Sequence, residues 1–417
     1  MIEEWRSLPL SEVCHFLNGL WKGESPPFLR VGVIRNTNFT KEGELDDSDI
    51  AYLDVEARKF QSRRLQFGDI ILEKSGGGPK QPVGRVVLFD KVEGNYSFSN
   101  FTSAIRVKDT SLLYHRYLHK YLHWLYLCGR TESMQSHSTG IRNLNGNAYK
   151  AIEIALPPFS EQKRIVAILD EVLDGISLAM SNAEKNLVNS RDLFENYLDL
   201  VFTKKGDDWV TEQLGAIAKF IDYRGKTPPK RESGVRLITA KNVKMGYIQR
   251  NPEEFIDPAA YDGWMTRGFP KKGDVLFTTE APLGNVAQLD TDETVVIGQR
   301  LITLQPDDDR LDRTFLKFAL MSSPVQREIL AQGTGATVVG IKAKLLKQIP
   351  IYFPKEFSHQ IAVAANIERI SDFSRSLENN YRQKIFGLIE LKHSIMQQAF
   401  SGNLTSRSSH PSQEAAE

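Results

Sequence analysis

The chain says everything twice. Trp5-Arg-Ser-Leu-Pro-Leu-Ser-Glu-Val near the N-terminus is answered by Trp209-Val-Thr-Glu-Gln-Leu-Gly-Ala-Ile. Pro26-Pro27 returns as Pro228-Pro229, Phe67-Gly68-Asp69 as Lys272-Gly273-Asp274, and Phe159-Ser160-Glu161-Gln162 as Phe357-Ser358-His359-Gln360. The order never changes. A period of about 200 residues is too long for a solenoid repeat and fits tandem duplication of a whole domain. The fold must therefore be one plan built twice. The 417 residues, 41% hydrophobic and 25% charged, suffice for two to three domains with cores of their own.

Each copy has two parts. The first carries short β-branched runs, such as Asp69-Ile70-Ile71-Leu72, Gly84-Arg85-Val86-Val87-Leu88 and Asp274-Val275-Leu276-Phe277, punctuated by Gly, Pro and Asn. That pattern predicts a small α/β domain rich in antiparallel turns. The second part is a long helix, opened by a proline just ahead of Ser160 or Ser358, either of which can cap it. Apolar residues recur at Ile165, Leu169, Val172, Ile176, Ala179, Ala183 and Leu187, and after a gap around Ser190 at Phe194, Tyr197 and Val201. The second stripe runs Val363, Ile367, Ile370, Leu377, Tyr381, Leu388, Ile395. Both read as coiled-coil seams on helices on the order of 60 Å long. The expected architecture is α+β, a pseudo-two-fold repeat of two α/β domains separated by two long helices that pair as an antiparallel coiled coil. The alternative is that each helix packs on its own domain. The expected division is residues 1–157, first domain; 158–204, first helix; 205–354, second domain; 355–402, second helix; and 403–417, a polar, disordered tail.

Charge and motifs exclude more than they propose. Lys and Arg number 53 against 52 Asp and Glu, a net charge of +1, so a nucleic-acid partner would have to be held by local patches. Cys14 and Cys128 form no CxxC pair, which excludes a disulfide framework or zinc knuckle. No apolar run nears the ~18 residues of a membrane span, and the start MIEEWRSLPL is acidic where a signal peptide is basic. A cytoplasmic chain is expected. A phosphate-binding GxxxxGK[ST] is absent, and Ser75-Gly76-Gly77-Gly78-Pro79-Lys80 reads as a mobile loop between strands. Ser25-Pro26-Pro27-Phe28 looks like the catalytic tetrapeptide of amino-methyltransferases. The methyl-donor turn such chemistry needs is missing, however, because Gly333-Thr334-Gly335 lies in the other copy and follows a helical stretch. Its repeat partner Thr227-Pro228-Pro229-Lys230 drops the aromatic, so both read as proline turns. His115, His119 and His123 share a helix face without a carboxylate, which suits a structural or solvent-facing row better than a metal site. Asp69 and Asp274 read as turn residues, since neither Glu73-Lys74-Ser75 nor Glu280-Ala281-Pro282 supplies the Glu-x-Lys of a nuclease. The chain reads as non-catalytic.

Two variable α/β parts, each followed by a helix introduced by PPFSEQKRIVAILDEV or PKEFSHQIAVAANIERI, resemble the specificity subunit of type I restriction–modification enzymes. LFENYLDLVFTKKGDDW at the junction and SIMQQAFSGNLT near the end resemble the same family, from Trp5 to Thr405; the second copy departs from it at His359, where the first has Glu161. The resemblance implies two target recognition domains, each reading one half of a split, asymmetric sequence in double-stranded DNA. It implies that the paired helices act as a ruler and as a platform for two methyltransferase subunits, through stretches that include Gln162, Arg164 and Gln360. It further implies motor-nuclease subunits for restriction, and S-adenosylmethionine, ATP and Mg in those partners, with no cofactor or metal in this chain.

The residues agree with that reading. A rigid spacer can hold two diverged domains about one turn of DNA apart, ~34–36 Å. The basic segments ending in Arg63 and Arg64, and the one spanning Arg224 and Lys226 to Lys230 and Arg231, would hold phosphates. For base reading the candidates in the first copy are Asn36, Asn38, Lys74, Ser75, Lys80, Gln81 and the stretch Ser138, Thr139, Arg142, Asn143. In the second they are Lys241, Asn242, Thr278, Thr279, Gln299, Arg300 and Thr334. Two other readings stay open: a self-sufficient DNA methyltransferase or nuclease fragment, and a coiled-coil adaptor with no DNA role.

Overall fold

The computed structural model describes residues 5–20, 22–78, 81–138, 141–223, 228–335 and 337–406. The chain divides into two compact units, residues 1–182 with 384–417, and residues 183–383.

In unit 1 an antiparallel sheet orders its strands Cys14–Asn18, Thr102–Val107, Ile70–Glu73, Val86–Leu88. A second sheet orders Ala51–Glu56, Phe28–Ile34, Tyr96–Phe98, the last pair parallel. Strand Arg6–Pro9 pairs antiparallel with Glu153–Leu156 just before the long helix. Alternation explains the layering, because successive side chains of a strand point to opposite faces. Ile70, Leu72 and Ile105 pack with Tyr117 and Leu118 of helix His115–Leu127, whereas Ile71, Val87 and Ala104 pack with Ile34 and Phe98 of the second sheet. A strand covered on both faces reads as an apolar run, here Ile70-Ile71-Leu72, with the one buried charge, Glu73, at its end and paired with Arg85.

Unit 2 repeats this plan with the orders Ala218–Asp222, Leu301–Pro306, Val275–Thr278, Val286–Gln288 and Phe255–Ile256, Val235–Ile238, Val295–Ile297. Its closing pair is Trp209–Gln213 with Pro350–Pro354. The copies differ beyond the central strand. In unit 1, Ser75–Gly77 is not the loop expected but a strand in the sheet Gln135–Ser138, Ile141–Leu144, Ser75–Gly77. Gly77 is required there, since a Cβ would stand 2.5 Å from the Gln81 carbonyl oxygen. Unit 2 has instead helix Ser323–Ala331 and isolated bridges of Gly340 to Glu280 and Thr334.

The long helices run Phe159–Thr203 and Phe357–Phe400, 45 and 44 residues. Neither starts on a serine. Pro158 O accepts from the backbone of Glu161 and Gln162 at 2.8 and 3.0 Å, and Glu356 O accepts from His359 and Gln360 at 3.1 and 3.2 Å. Ser160 and Ser358 therefore lie inside the first turn, because the helix begins two residues earlier, right after the short link from strands Glu153–Leu156 and Pro350–Pro354.

Each unit takes turns of both helices into its own core. In unit 1, Ile165, Val166 and Leu169 of the first helix join Met396, Ala399 and Phe400 of the second. In unit 2, Leu198 and Phe202 join Ala364 and Ile367, and the Ser374 hydroxyl donates to the Ser190 carbonyl oxygen. There the earlier residues of one helix meet the later ones of the other, so within unit 2 the two segments are antiparallel. Ser190 and Ser374 are both buried, and mark a close contact where the sequence suggested a gap in the seam. Asn403–Ser406, expected to open the polar tail, is a helical turn, with Leu404 against the core.

Candidate nucleic-acid interface

The frame around the site is set by pairs of equivalent residues. Asn38 Oδ1 accepts from Arg35 N at 2.9 Å, and Asn242 Oδ1 accepts from Thr239 N at 3.0 Å. Their amides donate inward, Asn38 to the carbonyls of Asp46 and Asp49, Asn242 to those of Gln249, Arg250 and Pro252. Both are 1% exposed. Base contact was expected of them; the structure gives them the folding of a loop. Thr278 and Thr279 are corrected likewise, being buried at 0 and 2% exposure, with hydroxyls at the carbonyls of Asn285 and Arg300.

Gln162 and Gln360 form the most exact pair. Gln162 Oε1 accepts from Tyr114 N at 2.8 Å, and its amide donates to Leu112 O and Pro157 O. Gln360 Oε1 accepts from Asp312 N at 2.9 Å, and its amide donates to Arg310 O and Pro354 O. At 0% exposure neither can meet a partner subunit. Each fastens a long helix to the loop preceding its domain's own helix, which is why the motif keeps Gln where His359 replaces Glu161. Arg164 is at the surface, paired with Glu161 at 3.7 Å.

Asp69 and Asp274 make the expected turns, accepting from Gln66 N and Lys271 N at 2.8 Å. They are also buried ion-pair partners, to Arg106 at 2.6 Å and to Arg313 at 2.5 Å. Among the described residues no group of three or more His, Cys, Asp and Glu is placed to hold a metal ion. The histidine row is structural in part: His119 and His123 are buried and stacked, with His119 Nε2 2.9 Å from Gly43 O.

In unit 1 the remaining candidates converge beyond the C-terminal end of strand Ile70–Glu73. Asn36 Nδ2 donates to Glu73 Oε1 at 3.0 Å and to Ser75 O at 2.8 Å, and the Ser75 hydroxyl donates to Asn143 Oδ1 at 2.6 Å. Beneath them Glu73 is buried against Arg85, whose guanidinium also donates to the carbonyls of Asn36 and Phe39. Gln81 is exposed and exchanges backbone hydrogen bonds with Gly78. Arg142 pairs in register with Gly77. Lys74 is half-buried, and desolvation pushes its ammonium pKa below the ordinary value. Phe101, which sequence reasoning missed, stands with them, 49% exposed, its carbonyl accepting from Lys74 N at 3.0 Å. Arg63 and Arg64 lie at the other end of that strand, where Arg106 donates to both Arg64 O and Asp69. Lys80, Thr139, Arg224 and Lys226 lie outside the described residues, and for Ser138 only its place in a strand is described.

In unit 2, Thr279, Glu280, Gln299, Arg300, Thr334 and Lys342 line a pocket of about 420 Å³. Gln299 and Arg300 also border a second pocket of about 180 Å³, with Lys230, Lys241 and Glu254. Thr279 N donates to Arg300 O at 2.9 Å, the bond that Lys74 makes to Phe101, so Arg300 and Phe101 are equivalent. Aligning Ser99-Asn100-Phe101 with Gly298-Gln299-Arg300 was the signal that could have found Phe101. Arg300 faces Glu280 at 2.9 Å, and Lys230 faces Glu254 at 2.6 Å.

A sheet frame used twice, with polar loop tips gathered at the same end of the same strand in each copy, defines a tandem recognition protein. The sequence matches the type I restriction modification DNA specificity domain over residues 2–189 and again over 206–385. The specificity subunit of the type I restriction enzyme EcoKI of Escherichia coli (strain K12) is 21% identical over 436 residues, covering 97% of this chain and 90% of that one. The fold is shared with the HsdS subunit from Thermoanaerobacter tengcongensis, at a TM-score of 0.62 and 18% identity over 96% of this chain and 97% of that chain. A chain from a structure of complex assembly and conformational transition of the type I R-M system gives a TM-score of 0.74 at 18% identity, over 96 and 98% of the two chains. The chain belongs to this family, as a type I restriction–modification specificity subunit with two target recognition domains in tandem.

Proposed function

We propose that each unit reads one half of a bipartite, asymmetric DNA sequence, and that the chain itself contributes no catalytic group. In this reading the long helices set the interval between half-sites and dock two methyltransferase subunits, and motor-nuclease subunits join for restriction. S-adenosylmethionine, ATP and Mg belong to those partners, and the assembly works in the cytoplasm. One observation carries the proposal. Frame positions keep their residue, as at Asn38 and Asn242, Asp69 and Asp274, Gln162 and Gln360, whereas equivalent loop tips change: Phe101 against Arg300, Thr37 against Lys241. A shared frame with different tips suits two different half-sites, since each base presents its own pattern of donors, acceptors and methyl groups. Docking is supported by large apolar side chains left exposed on the long helices: Leu178 and Phe386 at 65 and 63% in unit 1, Phe373 and Val188 at 55 and 53% in unit 2. No helix among the described residues is long and apolar enough to cross a membrane.

The test is a chimaera. Replacing the first recognition domain by that of a relative should change one half of the methylated sequence and leave the other intact. A change in both halves together would defeat modular reading. Incubating the lone chain with a labelled methyl donor addresses the competing enzyme reading, which methylation above background would favour.

A further inference from the structure

We propose that the residue ending the turn before strands Thr102–Val107 and Leu301–Pro306 reads one base in each half-site: Arg300 the O6/N7 edge of a guanine, and Phe101 the C5-methyl group of a thymine. This rests on the DNA-reading proposal above and says which base each domain demands there.

Arg300 is held as a reading group would be. Its φ of 68° lies in the left-handed region, costly for a side chain with a Cβ, and Ala281 at 49° is the only other non-glycine residue with positive φ among the described residues. The two border the same 180 Å³ pocket. Strained backbone persists where surrounding structure enforces it, and here it points an arginine outward at 49% side-chain exposure. Glu280 Oε1 lies 2.9 Å from Nε, an ion pair that restrains the guanidinium from that side. Nη1 and Nη2 hydrogen-bond to none of the described residues, so a two-pronged donor is oriented before any ligand arrives. Guanine offers two acceptors at the matching spacing, and a preoriented fork loses less side-chain freedom on binding. Lys342 lines one of the two pockets that Arg300 borders, and Lys230 and Lys241, both facing Glu254, line the other, where phosphates would pass.

Phe101 occupies the same place with opposite chemistry. The next residue, Thr102, is fully buried, yet Phe101 is half exposed, with its carbonyl accepting from the backbone N–H groups of Lys74 and Ser75. Among the described residues of unit 1, nothing encloses it. The thymine methyl is the apolar feature that a major groove offers to such a ring.

The experiment uses the complete specificity–methyltransferase complex and synthetic target duplexes. Scanning 7-deazaguanine through the half-site read by unit 2 removes one N7 acceptor at a time. The wild type should lose about tenfold in kcat/KM at one guanine. Arg300→Ala should lose a similar factor on natural DNA and nothing further with the analogue. Scanning deoxyuridine for thymine through the other half-site should cost about threefold at one position, a difference that Phe101→Ala abolishes. A wild-type complex indifferent to every 7-deazaguanine while still rejecting base-pair changes in that half overturns the arginine assignment, whatever the variants do. Indifference to every deoxyuridine does the same for Phe101. A wild type that methylates without regard to either half-site overturns the DNA-reading proposal and this inference with it.

Discussion

Gln162 and Gln360 show how far a single buried amide can organise a domain boundary. Each satisfies one backbone N–H and two backbone carbonyls, and alanine would strand all three in a dry site. Gln162→Ala and Gln360→Ala should each cost about 2–3 kcal/mol, seen as a lower urea midpoint, whereas Gln→Glu should cost more because a buried carboxylate would face two carbonyl oxygens where the amide donated. A midpoint within experimental error of wild type would mean that water replaces the amide. Arg63 and Arg64 offer the contrasting case of groups at the surface. If they hold phosphates, their replacement by alanine should weaken binding alike on target and random DNA, with the salt slope falling by about one unit for each phosphate no longer neutralised. Selective weakening on target DNA would instead make them base readers. What sequence could not tell at this scale is which way an amide points. Asn36 and Asn38 sit two apart in one polar stretch, yet the Asn36 amide ties Glu73 to Ser75 at the candidate site and Asn38 is enclosed by the carbonyls of its own loop. Composition is the same for both, and the tertiary turn decides.

Elements were far more legible. Strands such as Ile70–Glu73 announce themselves because a run buried on both faces is mostly apolar, and the helices because their stripes repeat over many turns. Every residue of the two stripes is buried or half-buried. Ends and pairings were less legible. The serine caps failed because a strand feeds directly into each helix, and the glycine strand Ser75–Gly77 failed because its pairing comes from residues some sixty positions later. Helix His115–Leu127 shows the limit of spacing arguments: its histidines lie on a face that a loop covers. Burial drives the pKa of His119 down to about 4 and that of His123 to about 3, against 6.5 unperturbed, while Lys120 and Lys392 add repulsion of the charged form. Glu42, Glu44, Asp90 and Arg116 border the same pocket. Above pH 6.5 both forms of the chain hold these rings neutral and stability is complete. As pH falls below 6.5 the unfolded chain binds protons that the folded one refuses, so stability drops until about pH 4 or lower. The slope should approach about 1.4 kcal/mol per pH unit for each ring. Urea midpoints taken from pH 7 to pH 5 should therefore decline, and His123→Leu should flatten the decline by about one ring's share. An unaltered slope would place the titration elsewhere.

For the whole molecule the duplicated plan leaves one question, namely what fixes the interval between half-sites. If the long helices do, then lengthening both should lengthen the unread spacer and nothing else. The place matters. Ser190 and Ser374 look like natural interruptions, but both are buried and joined by a hydrogen bond, so an insertion there would break a contact within unit 2. Asn182 and Gln383 are exposed and stand where the chain divides between units. Adding four residues after each gives about one turn, ~6 Å of rise, and roughly preserves helical phase while adding a stutter to the seam. At 3.4 Å per base pair that rise corresponds to about two pairs, so the spacer should grow by one to two while both half-sites remain as they are. The same insertion in a single helix shifts one stripe against the other by a turn and should lower the Tm without producing a new target. Sequencing the methylated sites in cells that carry each variant decides it. A doubly lengthened protein with full activity and the original spacer would show that the interval is set by the methyltransferase subunits around the helices, which would then serve as their platform alone.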